Sequence, residues 1–235
     1  MVIESIQKNL EAILGQIEQS AKRAGRDPRD ITLVAVSKRQ PIEKVQALLD
    51  LAPKYEQKIV LGENFVQEWD EKAKQIRGSL PVHFIGHLQS NKAKKASELF
   101  SCIQTVDSEK LVRKIESHCL ELGKSCELFL QVNVSGDEAK SGLRPEELPS
   151  FIEKITPELS AAKLSGLMTI TAFYEEHELV RPDFRAMRKL RDDVLQMGSL
   201  QSLSLSMGMS SDFQIAIEEG ADLVRVGTAL FGVRT

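Results

Sequence analysis

Lys38 closes the apolar run from Ile31 to Ser37, and a lysine in that place has a particular chemistry open to it. Partial burial disfavours the ammonium form and makes a neutral amine available to condense with an aldehyde as a Schiff base. The plain alternative is a lysine whose stem lies on the strand while its head reaches water. Arg225 is more demanding, because in Leu223-Val224-Arg225-Val226-Gly227 strand alternation places it opposite Val224 and Val226. With those valines facing outward, the guanidinium points inward and needs an acceptor there, either on a ligand or on a core carboxylate. Gly227 and Thr228 follow directly, and Gly208 and Ser210 end the preceding apolar run. Glycines let backbone N–H groups approach a phosphate and hydroxyls add donors, although tight turns use the same residue types.

Weaker candidates surround these. Asn64, in Gly62-Glu63-Asn64, suits either a ligand contact or a turn. The stretch Gly136 to Ser141 looks superficially like a phosphate-binding loop, but Ala139 stands where a glycine should precede Lys140, and a flexible loop near the site is expected. His83 and His87 should point to different surroundings, with no carboxylate or thiol to complete a metal site, so no metal is expected. Cys102, Cys119 and Cys126 are odd in number and form no C-x-x-C pair, which argues against a disulfide framework or zinc.

The elements that must position these residues alternate along the chain. Ile3, Ile6, Leu10, Ile13, Leu14, Ile17 and Ala21 recur at helical spacing and predict an opening amphipathic helix to about Arg23, stopped by Gly25 and Pro28. Strands are predicted at Ile31 to Ser37, Ile59 to Gly62, Val82 to Gly86, Cys102 to Val106, Leu128 to Val134, Leu164 to Ile170, Leu203 to Met207 and Leu223 to Gly227. Helices fall between them at Ile42 to Leu51, Phe65 to Ile76, Ala93 to Phe100, Lys110 to Leu122, Glu146 to Ile155, Phe184 to Met197 and Phe213 to Glu218. Asp107, Ser108 and Ser211 or Asp212 are candidate N-caps, with Gly78, Gly123, Gly198 and Gly220 at helix ends. Such alternation predicts an α/β fold with a parallel sheet, and the absence of G-x-G-x-x-G after the first strand favours a closed (β/α)8 TIM barrel over an open doubly wound sheet. In such a barrel the strand ends carrying Lys38, Asn64, Met168, Ser210 and Arg225 share one mouth.

Composition narrows the function classes. A chain of 235 residues, 42% hydrophobic and 28% charged, suits one domain over residues 1–235, with no linker or repeat and no room for a second domain after the last strand. The net charge of -3, with both signs interspersed, offers no footprint for nucleic acid or an anionic membrane. Charged residues such as Glu4, Lys8 and Glu11 break up the N-terminal apolar pattern, so no signal peptide is expected, and a soluble cytoplasmic protein is.

Val36-Ser37-Lys38, Gly62-Glu63-Asn64 with Gln67-Glu68, the run from His83 to Lys92, the run from Gln131 to Gly136 with Lys140-Ser141-Gly142, Gly166-Leu167-Met168, the run from Leu205 to Ser210 and Val224 to Thr228 together closely resemble the pyridoxal-phosphate homeostasis protein family over nearly the whole chain. The resemblance implies a barrel like the N-terminal domain of alanine racemase, here with an extra N-terminal helix, and pyridoxal 5′-phosphate as cofactor. It implies Lys38 as the cofactor lysine, a phosphate held by Ser210, Gly227 and Thr228, Arg225 on the pyridine nitrogen, and Ser206, Asn64 and Met168 lining the site. Arg39-Gln40 depart from the usual Thr-Lys of the family, and Phe65 and Trp69 flank the second motif; all four are expected at the entrance. The implied role is vitamin B6 and amino-acid homeostasis without substantial catalysis, with no catalytic residues assigned. An arginine on the nitrogen disfavours its protonation, and the partner-supplied tyrosine of the racemases has no counterpart domain here. Tyr55 and Tyr174 are the tyrosines present, Tyr174 in a loop near the mouth. Alternatives are an amino-acid racemase or a regulator responsive to the cofactor through a protein partner. Pyridoxal-phosphate-dependent enzymes or a regulatory protein are the implied recipients, and a monomer is expected.

Overall fold

Parallel strands covered on both faces read as nearly continuous apolar runs, and the runs of this chain form them. In the computed structural model, which describes residues 1–137, 140–198 and 200–232, the strands are β1 (Thr32–Val36), β2 (Ile59–Glu63), β3 (Val82–Phe84), β4 (Cys102–Val106), β5 (Cys126–Gln131), β6 (Ala162–Met168), β7 (Ser204–Met209) and β8 (Leu223–Val226). They pair in sequence order as a closed parallel barrel, β8 returning to β1 with Val34 opposite Arg225. The helices are α1 (Val2–Arg23), α2 (Ile42–Leu51), α3 (Val66–Lys72), α4 (Ala93–Leu99), α5 (Glu109–Leu122), α6 (Leu148–Ile155), α7 (Arg181–Gln196), α8 (Phe213–Glu218) and α9 (Thr228–Phe231). The expected α/β barrel is therefore the observed one, and no described helix is long and apolar enough to cross a membrane.

Boundaries shift where local chemistry intervenes. β3 stops at Phe84 rather than Gly86 because the Gly86 backbone lies against Asn64, where a Cβ would stand 2.3 Å from the Asn64 carbonyl oxygen. β5 stops at Gln131, and Val132 pairs instead with Leu143, returning from the following loop. α3 stops at Lys72, after which Gln75 N–H bonds the Lys72 carbonyl in a tighter turn. Ser108 and Asp212 occupy N-cap positions without capping through their side chains. Asp212 Oδ1 instead accepts from Met209 N–H at 2.6 Å. The short α9 has no counterpart among the predicted helices.

Strand alternation sorts the core into two shells. Val224 and Val226 face outward with the helices, where α1 packs Ile6, Leu10, Ile13, Ile17 and Ala21. Inside the barrel, Val34, Val60, Cys102, Phe129, Met168 and Leu223 form a separate apolar layer. Gly166 makes room for the Phe129 ring, since a Cβ there would fall 2.2 Å from Phe129 Cε1. Polar side chains also enter this interior: His83, Gln104, Ser206 and Arg225 are all buried.

A second buried polar group holds the end of β1. Glu63, fully buried at the end of β2, accepts on Oε1 from Ser37 Oγ at 2.7 Å and from Lys72 Nζ at 2.8 Å. Lys72 Nζ also donates to the Ser37 carbonyl at 2.9 Å and to Glu68 Oε1 at 2.9 Å, and Glu68 Oε1 accepts from Arg39 N–H at 2.5 Å. The backbone on both sides of Lys38 is thus clamped, and Arg39 is held at φ 55°, a left-handed conformation uncommon for a residue with a side chain. Burial raises the Glu63 carboxyl above its ordinary range while Lys72 pulls it down, so the pair is coherent only with both members present.

Replacing Lys72 with Met should therefore cost about 3 kcal/mol or more of unfolding free energy in urea, and adding Glu63→Gln should recover much of it. A Lys72→Met protein within about 1 kcal/mol of wild type would contradict the clamp. A second expectation concerns His83, whose imidazole is held down at about 4 by burial. Between about pH 6.5 and 4 the unfolded chain takes up a proton that the folded chain refuses, so stability falls as pH falls, by roughly 3 kcal/mol in all. Unfolding curves at pH 7 and 4.5 should show a smaller loss for His83→Asn than for wild type.

Candidate functional site

The carboxyl ends of the strands enclose a cavity of about 320 Å³, of the size of small-molecule sites. Lys38, Asn64, Ser210, Arg225, Gly227 and Thr228 line it together with the apolar side chains of Val36, Ile85 and Ile170. Pairing of β1 with β8 is what brings Lys38 beside the Gly227-Thr228 segment: Ala35 lies opposite Val226, and both strands then run to the same mouth. Lys38 is half-buried there.

Arg225 lines this cavity and is only 5% exposed. Its Nη1 donates to Ser206 Oγ at 2.7 Å and its Nη2 to the Thr169 carbonyl at 2.7 Å. Both acceptors are neutral, and among the described residues Arg225 forms no ion pair, so the core-carboxylate alternative is set aside. Burial lowers the guanidinium to about 10, which leaves it cationic at neutral pH. Beneath it, Ser206 Oγ donates to Gln104 Oε1 at 2.6 Å, and Gln104 Nε2 lies 2.8 Å from His83 Nδ1.

Turns supply another part of the cavity lining. Gly208 has φ 89°, and a Cβ there would meet Ala216 Cβ at 2.5 Å, so glycine alone lets the chain leave β7 and place Ser210 over the mouth. Asp212 Oδ1 fixes that turn through the Met209 N–H, and Ser210 Oγ accepts from Gly227 N–H at 3.2 Å. Thr228 is exposed beside them. Hydroxyls of Ser210, Ser211 and Thr228 and the Gly227 backbone therefore gather at one rim, a donor set suited to an anion.

Six of the residues singled out from sequence thus line one cavity, and two do not. Ser206 and Met168 are fully buried one layer below, Ser206 reaching the site through Arg225 and Met168 packing with Val34, Phe129 and Leu223. Asn64 Oδ1 is buried without a protein partner at the cavity edge. Sequence reasoning missed the walls, Val36, Ile85 and Ile170, although each stands on a predicted strand at an inward position, and it missed Gln104, whose signal was a polar residue inside an apolar strand. Of the four residues expected at the entrance, Arg39 and Phe65 are exposed, the guanidinium 5.2 Å from the ring centroid. Trp69 and Gln40 are buried instead, Trp69 on the inward face of α3 and Gln40 at the end of a turn in which its N–H bonds the Ser37 carbonyl. His83 is buried and His87 exposed. Tyr174 donates to Asp183 Oδ2 at 2.8 Å and Tyr55 to Glu11 Oε1 at 3.2 Å. In the Gly136 to Ser141 loop, Glu138 and Ala139 lie outside the described residues, and Asn133 Nδ2 donates to the Asp137 carbonyl at 2.9 Å.

Comparison with known proteins agrees with the fold. The family described as alanine racemase, N-terminal domain, matches residues 9–235. The pyridoxal phosphate homeostasis protein of Aquifex aeolicus is 39% identical over 228 residues, covering 97% of each chain. PipY of Synechococcus elongatus, whose structure was solved with PLP bound, is 34% identical with a TM-score of 0.79, covering 92% of this chain and 100% of that one. An alanine racemase of Clostridium difficile, at 19% identity and a TM-score of 0.73, shares the fold; the match covers 97% of this chain but 56% of the racemase. The chain belongs to the alanine racemase N-terminal domain family and, within it, to the pyridoxal phosphate homeostasis proteins.

Proposed function

We propose that this protein holds pyridoxal 5′-phosphate on Lys38 and serves vitamin B6 and amino-acid homeostasis as a cytosolic carrier, delivering the cofactor to enzymes that need it. The observation that carries the reading is the convergence of an amine, a buried cation and an anion-binding rim on one cavity of about 320 Å³. The names of its relatives and the bound PLP of PipY support it.

The residues present fit the group. Ser210 Oγ, the Gly227 N–H and the Thr228 hydroxyl would take the phosphate, Lys38 Nζ would join the aldehyde carbon with loss of water, and Arg225 would donate toward the ring nitrogen. Val36, Ile85 and Ile170 offer apolar surface for a flat ring, and the unpartnered Asn64 Oδ1 suits a ligand donor. The carrier is taken to act as a monomer.

Bound pyridoxal phosphate supplies an aldehyde and, when its ring nitrogen is protonated, an electron sink. Arg225 opposes that protonation: the guanidinium stays charged, and a cation disfavours a second positive charge beside it. Proton transfer on an amino acid also needs an acid and base on opposed faces. The Tyr174 hydroxyl is engaged with Asp183, and burial together with Asp183 raises its pKa, so it is poorly placed to act as the second base. Both points favour a tether over a catalyst.

Protein mixed with pyridoxal 5′-phosphate should develop a visible absorption band, and borohydride should then fix the cofactor's mass on Lys38. A Lys38→Ala protein that keeps a reducible adduct at full occupancy would remove Lys38 from the assignment. To separate carrier from racemase, alanine incubated with the loaded protein in deuterium oxide should retain its α-proton. Sustained exchange with turnover of several amino acids would establish the racemase reading instead.

A further inference from the structure

Arg225 is the group whose donors decide how a ring nitrogen is met, yet no carboxylate orients it. Among the described residues its side chain forms no ion pair, and its protein partners are Ser206 Oγ and the Thr169 carbonyl. Ser206 has one proton, and that proton lies on Gln104 Oε1 at 2.6 Å. This arrangement leaves the hydroxyl oxygen free to accept from the guanidinium.

The direction of that chain is set farther down. A glutamine amide can sit either way round, and reversing Gln104 would turn its NH2 toward Ser206. Ser206 would then accept from both Gln104 and Arg225, and its own buried proton would lose the acceptor that Gln104 Oε1 supplies at 2.6 Å. In the structure Oε1 faces Ser206 and Nε2 lies 2.8 Å from His83 Nδ1, and the imidazole that matches this orientation is neutral, accepts at Nδ1 and carries its proton on Nε2. His83 is 7% exposed and also lines a cavity of about 730 Å³ at the opposite, amino-terminal mouth. The chain His83, Gln104, Ser206, Arg225 therefore crosses the barrel interior with one polarity.

We infer that Gln104 and His83 are positioning residues for the cofactor site, fixing through Ser206 which Arg225 donors are turned into the cavity. The inference rests on the proposed binding of pyridoxal 5′-phosphate. It concerns two side chains that do not line the cofactor cavity.

The test uses the full-length protein loaded with pyridoxal 5′-phosphate, with Gln104→Met, His83→Leu and His83→Asn as variants. Met nearly preserves the Gln104 volume, and Asn keeps an acceptor at the Nδ1 position. The readouts are the dissociation constant and the position of the visible band, which reports the surroundings of the ring nitrogen and would not move with a purely structural loss. Gln104→Met and His83→Leu should shift the band and weaken binding about tenfold, and His83→Asn should restore both. If His83→Leu fails to fold, Gln104→Met decides alone. Variants folded by circular dichroism whose band and affinity equal wild type would overturn the positioning role, as would a His83→Asn protein no better than His83→Leu. Absence of any band from wild-type protein would overturn the binding reading and this inference with it; a wild-type band unchanged in the variants overturns only the inference.

Discussion

A guanidinium inside a barrel cannot shed its charge, and the interior must be arranged around that fact. Arg225 is 5% exposed at the level where the barrel opens into the cavity, and its acceptors are a hydroxyl and a backbone carbonyl. Neutral hydrogen-bond partners leave the charge without an ion pair and so keep it available to a ligand, with Asp212 acting on it only as a Coulombic neighbour. The polar chain to Gln104 and His83 follows from the need to satisfy Ser206, and it shares the barrel interior with the apolar layer of Val34, Val60, Phe129, Met168 and Leu223.

The rest of the site depends on closure. β8 pairs with β1, so the two ends of the described fold meet side by side and the amine of Lys38 faces the same space as the rim made by Ser210, Gly227 and Thr228. Strand geometry alone would leave the loop after β1 free to move. The Glu63, Lys72 and Glu68 cluster holds it through Ser37 and the Arg39 N–H, so a reactive side chain is carried on a backbone with little freedom. Stability at this end of the barrel and placement of Lys38 are consequently the same set of interactions.

A binding protein and a catalyst that share a fold need different things from it. Holding a phosphorylated aromatic aldehyde requires an anion rim, an amine and a flat apolar slot, all of which one chain supplies here. Transforming a substrate on it requires in addition groups poised to move protons on both faces, and the candidate tyrosines are engaged with Asp183 and Glu11. In the proposed reading Arg225 would lie at the ring-nitrogen end, and its permanent charge would pull in the same direction, toward retention of the cofactor.

Much of this was legible in the sequence because strand and helix periodicities are local: the alternation of apolar runs with 3.6-residue patterns identified the barrel, and the inward direction of Arg225 followed from Val224 and Val226 on either side. The residues at strand ends, Lys38, Asn64, Ser210, Gly227 and Thr228, were found for the same reason, since a parallel barrel gathers all such ends at one mouth. Depth was not legible. Whether Met168 and Ser206 wall the cavity or lie beneath it, whether Trp69 and Gln40 are at the entrance or in the core, and which acceptors Arg225 uses depend on stagger between strands and on side chains distant in the chain. The order of elements and the chemistry at their ends could be read from the chain, because each is encoded within a few residues. Tertiary structure alone decided which polar groups touch, because a hydrogen bond from Arg225 through Ser206 to Gln104 joins strands whose spacing only the closed barrel sets.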